Sequence, residues 1–266
     1  MADEEAKLLK TIRQSPALPT VPAVAIAILR LSRDPGVSIE KMAETIEKDP
    51  ALAAKVLRFA NSSYYAANQP IVSLPQAIIR IGIRRVKMLA LSFSLMDACH
   101  RNSSPDFDFP RFWQRCLTMS VAARRIAERS ISKQAEAAFI GALLADIGCP
   151  VLARLYPVQY RSIEKVLKVS PRDLAELEAS FLGLAHPRVS AMLLESWRLP
   201  AELVQAIAAH HDLSLLKRDS GEFTIAAVIA TASGLTELIV RGSTQERIRR
   251  LAGAFHEYFA FSPQHI

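Results

Sequence analysis

Apolar residues recur at three- and four-residue spacing along almost the whole chain, and the alternating runs that would mark strands are scarce. The pattern predicts helices near residues 3–14, 22–33, 38–48, 50–60, 74–81, 84–99, 110–130, 134–145, 157–168, 171–181, 187–197, 200–210, 223–240 and 244–258. Start signals support these positions. Asp49-Pro50 places an N-cap before a proline, Ser73–Gln76 and Ser243–Glu246 have capping-box spacing, and Ser170-Pro171-Arg172-Asp173 joins a cap, a proline and an early acid. The expected fold is all-α. The polar stretch Asn102-Ser103-Ser104-Pro105-Asp106 predicts a division into two helical subdomains, residues 1–101 and 106–266. No repeat with a period of 20–50 residues is visible, which disfavours a solenoid.

Composition narrows the classes. Half of the 266 residues are hydrophobic and 22% are charged, so intrinsic disorder is excluded as the main state. Nine glycines, with no GxGxxG or GxxxxGK[ST] string, remove dinucleotide and P-loop chemistry. Cys99, Cys116 and Cys149 are odd in number and widely spaced, which suits a reducing cytosol better than a disulfide framework. The N-terminus is acidic where a secretory signal is basic. The longest apolar stretch, Phe223 to Val240, carries Glu237 and falls short of the ~20 residues of a membrane span. A cytoplasmic protein without membrane insertion is expected.

The net charge of +7 is spread along the chain rather than concentrated on one face. Clusters at Arg80, Arg84, Arg85 and Lys87, at Arg124, Arg125 and Arg129, and at Arg247, Arg249 and Arg250 read as solvated helix faces. Nucleic-acid binding is the weakest of three readings and would demand steep salt dependence.

Polar residues able to act together are few. His210-His211-Asp212 ends a predicted helix, where two adjacent side chains point about 100° apart, so at most one should face a shared site. Asp146 ends an apolar helix before Gly148 and Pro150, and His186 precedes Pro187 at a helix start. Each alone reads as a cap or a helix-terminal polar residue. Asn61, Ser62 and Tyr65 gather where another helix ends. Asn61 reads as a left-handed terminator, or with Ser62 and Tyr65 as the lining of a groove between the subdomains.

Taken in order, GALLADIG, HPRVSAMLLESWRLP and the His210-His211 pair resemble the HD superfamily of metal-dependent phosphohydrolases. The first half sharpens the likeness. The LPxxP entry at Leu18, the DPxL helix start at Asp49, the L-x-x-A-N-S exit through Asn61 and the AIxxxG helix at Ala77 resemble an HDOD domain, the output-type relative of those hydrolases. The resemblance runs from about Leu18 to His211 and implies an all-α fold, a bacterial signalling role and no cofactor. It also implies vestigial site positions at Asp146, His186, His210 and His211.

Active HD hydrolases carry a histidine before the aspartate, where this chain has Ala145. They draw another from an earlier helix, where only Arg115 and Cys116 stand, and an aspartate from a late helix, where Ala232-Ser233 stand. Divalent ions need about four to six donors, so catalysis and metal binding are expected to be lost. A mixed site of Asp146, His186 and His210 with Cys116 or Cys149 is the chemical alternative. The expectation is a non-hydrolytic protein without a fused receiver, GGDEF or EAL-type domain. Its partners would be sensor kinases, response regulators or cyclic-nucleotide components. The enzyme alternative is a residual metal-dependent phosphohydrolase of nucleotides or phosphodiesters.

Overall fold

The structure is a computed structural model and describes residues 2–15, 18–20, 22–31, 36–62, 69–101, 103–168, 170 and 172–259, among which there is no strand. Among the described residues fifteen α-helices follow one another. They are α1 (Ala2–Arg13), α2 (Ala23–Leu31), α3 (Ile39–Glu47), α4 (Pro50–Ala60), α5 (Leu74–Ile81), α6 (Ile83–Arg101), α7 (Phe109–Ser130) and α8 (Ala135–Leu144). Then come α9 (Gly148–Leu155), α10 (Pro157–Leu167), α11 (Leu174–Leu182), α12 (His186–Ser196), α13 (Ala201–Ala209), α14 (Gly221–Arg241) and α15 (Gln245–Phe259). The all-α expectation holds.

Helix starts follow side-chain chemistry. Asp49 accepts from the Leu52 amide at 3.1 Å with Pro50 in the first turn, and Ser73 accepts from that of Gln76 at 3.4 Å. Two expected starts move. Asp173, not Ser170, caps α11, accepting from the Glu176 amide at 2.8 Å, and Thr244 rather than Ser243 accepts from the Arg247 amide at the start of α15. One helix was not expected at all. Gly148 and Pro150 read as a terminating turn, but proline is tolerated in a first turn, where its missing amide has no intrahelical partner, and α9 begins there.

The chain forms two compact units, Pro19–Arg101 and Met1–Leu18 with Asn102–Ile266. The first helix therefore belongs with the C-terminal part, where the sequence division had placed it with the N-terminal one. The reason is side-chain contact: α1 packs on α12, and Arg13 pairs with Glu195 at 2.7 Å.

In the Pro19–Arg101 unit, α2 and α4 pack on α6 around Ile28, Met42, Ile46, Leu52, Val56 and Leu95, all fully buried. Asn61 corrects its expectation. Its φ of −92° is not left-handed, so it ends α4 through its side chain. The amide group bridges to Ile71, accepting from its N–H at 2.7 Å and donating to its carbonyl at 2.7 Å. Ser62 Oγ is buried without a partner, and Tyr65 lies outside the described residues.

In the other unit, α8 is apolar on every side beyond its first turn, which carries Glu136, and lies among α7, α13 and α14. Ser132–Leu155 and Gly221–Arg241 are long and apolar enough to cross a membrane, which corrects the expected shortfall, yet 89% and 50% of their apolar windows are buried inside the fold. Their apolar character serves the core. Arg124 departs from the expected solvated face: it is 5% exposed and lies against Glu128 at 3.1 Å and Glu136 at 3.4 Å.

Candidate functional site

Because α8 is central, the residue just past its end is buried as well. Asp146 has no exposed surface, so its charge needs compensation close by. The segment after it is pressed against α12. The Gly148 amide donates to Ser190 Oγ at 2.9 Å, and a Cβ on Gly148 would lie 2.5 Å from the His186 carbonyl oxygen, so only glycine allows this approach. Gly183, at φ 71°, ends α11 in the left-handed conformation just before His186 opens α12. These two glycines bring α8, α11 and α12 to one point.

His186 Nε2 lies 3.2 Å and His210 Nε2 3.4 Å from Asp146 Oδ1. His211 Nε2 joins them, one ligand atom from each of the four residues lying within 4.8 Å of the others. Both histidines of the pair therefore face the site, against the expectation of at most one. The reason is local: α13 stops at Ala209, so the 100° helical step does not apply to His210 and His211, whose rings meet edge to face at 4.3 Å.

Each imidazole is oriented from behind. His186 Nδ1 lies 2.6 Å from Glu178 Oε2, His210 Nδ1 donates to the Ile207 carbonyl at 2.7 Å, and His211 Nδ1 lies 3.1 Å from Asp173 Oδ2. Buried Glu178 also accepts from the His186 amide and the Tyr160 hydroxyl. Sequence reasoning passed over Glu178, Asp173 and Tyr160. The signal for Glu178 was a carboxylate next to the apolar positions Ala175 and Leu177 of α11.

Arg115 fills the place where α7 has no histidine. Its guanidinium pairs with Asp146 Oδ2, lies 3.4 Å from Glu237 and donates to Ser233 at 3.5 Å. Ser233 stands where a late aspartate was sought. A cation from α7 and a hydroxyl from α14 thus share the space beside the carboxylate.

Charge follows geometry. Burial alone would raise Asp146, but the Arg115 guanidinium and the two imidazoles hold its carboxyl well below the usual range. Burial, reinforced by His211, lowers His210 to about 4, so it is neutral with its proton on Nδ1, facing the carbonyl. Burial would also lower His186, but Cys149, Glu178 and Asp146 hold it well above its ordinary value.

Asp146 Oδ1 and the Nε2 atoms of His186, His210 and His211 are buried and none has a hydrogen-bond partner. Between His210 Nε2 and Asp146 Oδ1, two acceptors face each other, an arrangement that calls for a cation. Three imidazoles and one carboxylate, each imidazole held from behind, are a donor set that zinc or iron accepts. The residues fit one metal ion. Cys116 is not among these donors, and Cys149 groups instead with Glu178 and His186, so in place of the mixed site weighed as an alternative stands one in which His211 supplies the fourth donor.

Three comparisons place this geometry among known proteins. A family model described as the HDOD domain matches residues 18–213. An uncharacterized protein of Treponema pallidum is 24% identical over 200 residues, a match that covers 74% of this chain but only 38% of that protein. Among solved structures, an HDOD domain protein of unknown function from Geobacter sulfurreducens superposes with a TM-score of 0.81 at 22% identity, covering 98% of this chain and 91% of the other. A candidate phosphohydrolase from Shewanella amazonensis gives 0.76 at 22% identity, over 97% and 89%. A candidate signal transduction protein from Marinobacter aquaeolei gives 0.73 at 25% identity, over 97% of this chain and 56% of that one.

Proposed function

This chain belongs to the HDOD domain family, and we propose that it relays a bacterial signal by binding other proteins and does not hydrolyse phosphoesters. The observation that carries this reading is the ion pair of Arg115 with Asp146. A hydrolytic metal centre keeps a position open for activated water beside its carboxylate. Here a guanidinium, itself held by Glu237 and Ser233, lies against one oxygen of that carboxylate, and a serine and an alanine stand where further ligands would be. Sensor kinases, response regulators and proteins of cyclic-nucleotide signalling are the partners this reading implies. The free, buried cysteines suit the cytosol.

The test is turnover. Purified protein with magnesium, manganese, iron or zinc should release nothing from phosphomonoesters, cyclic dinucleotides or nucleoside triphosphates. Hydrolysis that disappears in Asp146→Ala would overturn the reading.

A second reading rests on four buried polar atoms that have no hydrogen-bond partner. Asp146, His186, His210 and His211 would hold a single divalent ion, which when bound supplies a cross-link among the end of α8, the start of α12 and the end of α13. Four protein donors complete a tetrahedral zinc shell, so metal retention and absent hydrolysis are compatible. About one zinc per chain, lost on His210→Ala together with thermal stability, would support it. A chain that binds no metal at micromolar zinc would sink it.

A further inference from the structure

Beside the histidine cluster the unit containing α7 to α15 carries a half-open chamber of about 710 Å³, within the ~300–1,000 Å³ of small-molecule sites. Arg115, His210 and His211 lie at its inner end, α14 forms a wall, and α15 lies across it. Six guanidinium groups line it: Arg115, Arg172, Arg218, Arg241, Arg247 and Arg250. Four of these six lie beyond residue 213, outside the stretch the family model covers.

The carboxylates on the same walls are already engaged. Asp173 holds His211, Asp212 accepts from Ser214, Glu237 serves Arg115 and Arg241, and Glu257 pairs with Arg218. Arg250 pairs with Glu246 and Arg172 with Glu176, and neither of these acids lines the chamber. Exposed pairs of this kind are worth ~0–1 kcal/mol and exchange partners readily. Arg247 donates to the Arg241 and Gly242 carbonyls at 3.3 and 3.0 Å and meets no carboxylate among the described residues. Positive charge is thus in surplus, at the end of a bed of arginines.

His210 and His211 also line this chamber, next to Arg115. The remaining wall is apolar and aromatic: Phe223 and Tyr258 meet edge to face at 6.0 Å, and Leu251 is the buried residue of α15. Guanidinium forks match phosphate oxygens two at a time, and flat apolar walls accept a ring.

We propose that this chamber binds an organic phosphate of about nucleotide size, its phosphate on the arginines of α14 and α15 and its flat body against Phe223, Leu251 and Tyr258. The ligand places negative charge where Arg247 has none to meet and draws α15 onto α14. The proposal concerns binding and stands whether or not the domain hydrolyses anything.

The experiment is calorimetric titration of the full-length chain with adenosine 5′-monophosphate, pyrophosphate and adenosine, repeated on Arg247→Gln/Arg250→Gln. Both substituted side chains lie outside the histidine cluster, and an unchanged unfolding midpoint without ligand establishes that the variant folds. Adenosine monophosphate should bind below about 1 mM, pyrophosphate should compete, adenosine should not bind, and the double variant should lose at least about tenfold in affinity. No saturable binding of either phosphate probe, or equal binding by the double variant, overturns the proposal. Pyrophosphate binding without the nucleotide overturns the organic part of it. Chromatography of the recovered nucleotide separates the two readings: conversion would contradict the absence of hydrolysis while leaving the binding site in place.

Discussion

Arg115 reaches from α7 to the carboxylate of Asp146, which has no exposed surface, while the arginine side chain keeps 15% of its own. A buried carboxylate and a nearly buried guanidinium are costly to desolvate, and each is tolerable only because of the other. Removing the arginine leaves an uncompensated buried charge. Arg115→Ala should lower unfolding free energy by about 3–5 kcal/mol. Arg115→Lys should rescue only part of this, because a single ammonium cannot meet Asp146, Glu237 and Ser233 together. Urea unfolding of the three proteins decides it; a near-neutral alanine variant would show that the pair does not hold the site.

Acid stability should report His210. Its folded value of about 4 lies below the ordinary 6.5, so between those pH values the unfolded chain takes up a proton that the fold refuses. Stability therefore falls as pH drops from 6.5 towards 4, by up to about 1.4 kcal/mol per pH unit. His186 acts in the opposite sense and elsewhere. Its value is raised, so the stability it adds is complete below 6.5 and is lost as pH rises through the folded value. Asp146 and Asp173 are depressed, so their stabilising effect persists until pH falls below the ordinary 3.8. After chelation, denaturant midpoints at pH 5 and 7 should differ in the native chain and converge in His210→Gln; an unchanged slope in that variant would contradict the assignment.

Asn61 is a bridge to Ile71 and not a left-handed cap, so glycine offers nothing at this position. Asn61→Gly and Asn61→Ala should both destabilise the protein, each by about 2 kcal/mol, because two partly buried main-chain groups lose their partner. A glycine variant close to wild type, with alanine alone impaired, would restore the left-handed reading.

Gly148→Ala should be among the most damaging single-methyl additions in the chain. The new carbon meets the main-chain oxygen of His186, which cannot rotate away as a side chain would. A loss of about 3 kcal/mol or more is expected, with displaced His186 and Asp146 resonances in NMR spectra. A fully stable variant with native spectra would show that α9 and α12 can separate freely.

The helical pattern made most of the fold legible, because amphipathic periodicity survives in the sequence wherever one face meets water. It failed at Gly148–Leu155, a short helix that is buried on most sides and has near its start the two residue types that usually end one. Asp146 and His186 stood out as polar residues in apolar surroundings. The His210-His211 pair and Arg115 were visible too, but not that both histidines face one site or that Arg115 pairs with Asp146. The first depended on α13 stopping one residue before the pair, and the second on a helix 31 residues upstream whose inward side no local pattern marks. Glu178, Asp173 and Tyr160 act through other side chains, a relation only the packed fold reveals.

Thiol chemistry should be silent in the native protein. Burial pushes Cys99 up to about 12 and Cys149 to about 11, and Cys116 is fully buried. A colorimetric thiol reagent at pH 8 should find no reactive cysteine in buffer and three in denaturant; prompt native labelling would mean that one of these helices opens.

Since Met1–Leu18 keeps company with Asn102–Ile266, the intervening Pro19–Arg101 is, in topological language, an insertion carried on two covalent crossings of the chain. A single nick at either crossing would leave the insert covalently tied to one part of the other unit through the remaining crossing, and only cuts at both would free it. A chain trimmed to the matched stretch from residue 18 loses more than a leader: it strips α1 from α12 and leaves Glu195 without Arg13. The first residues of the sequence are, in connectivity, part of its last domain.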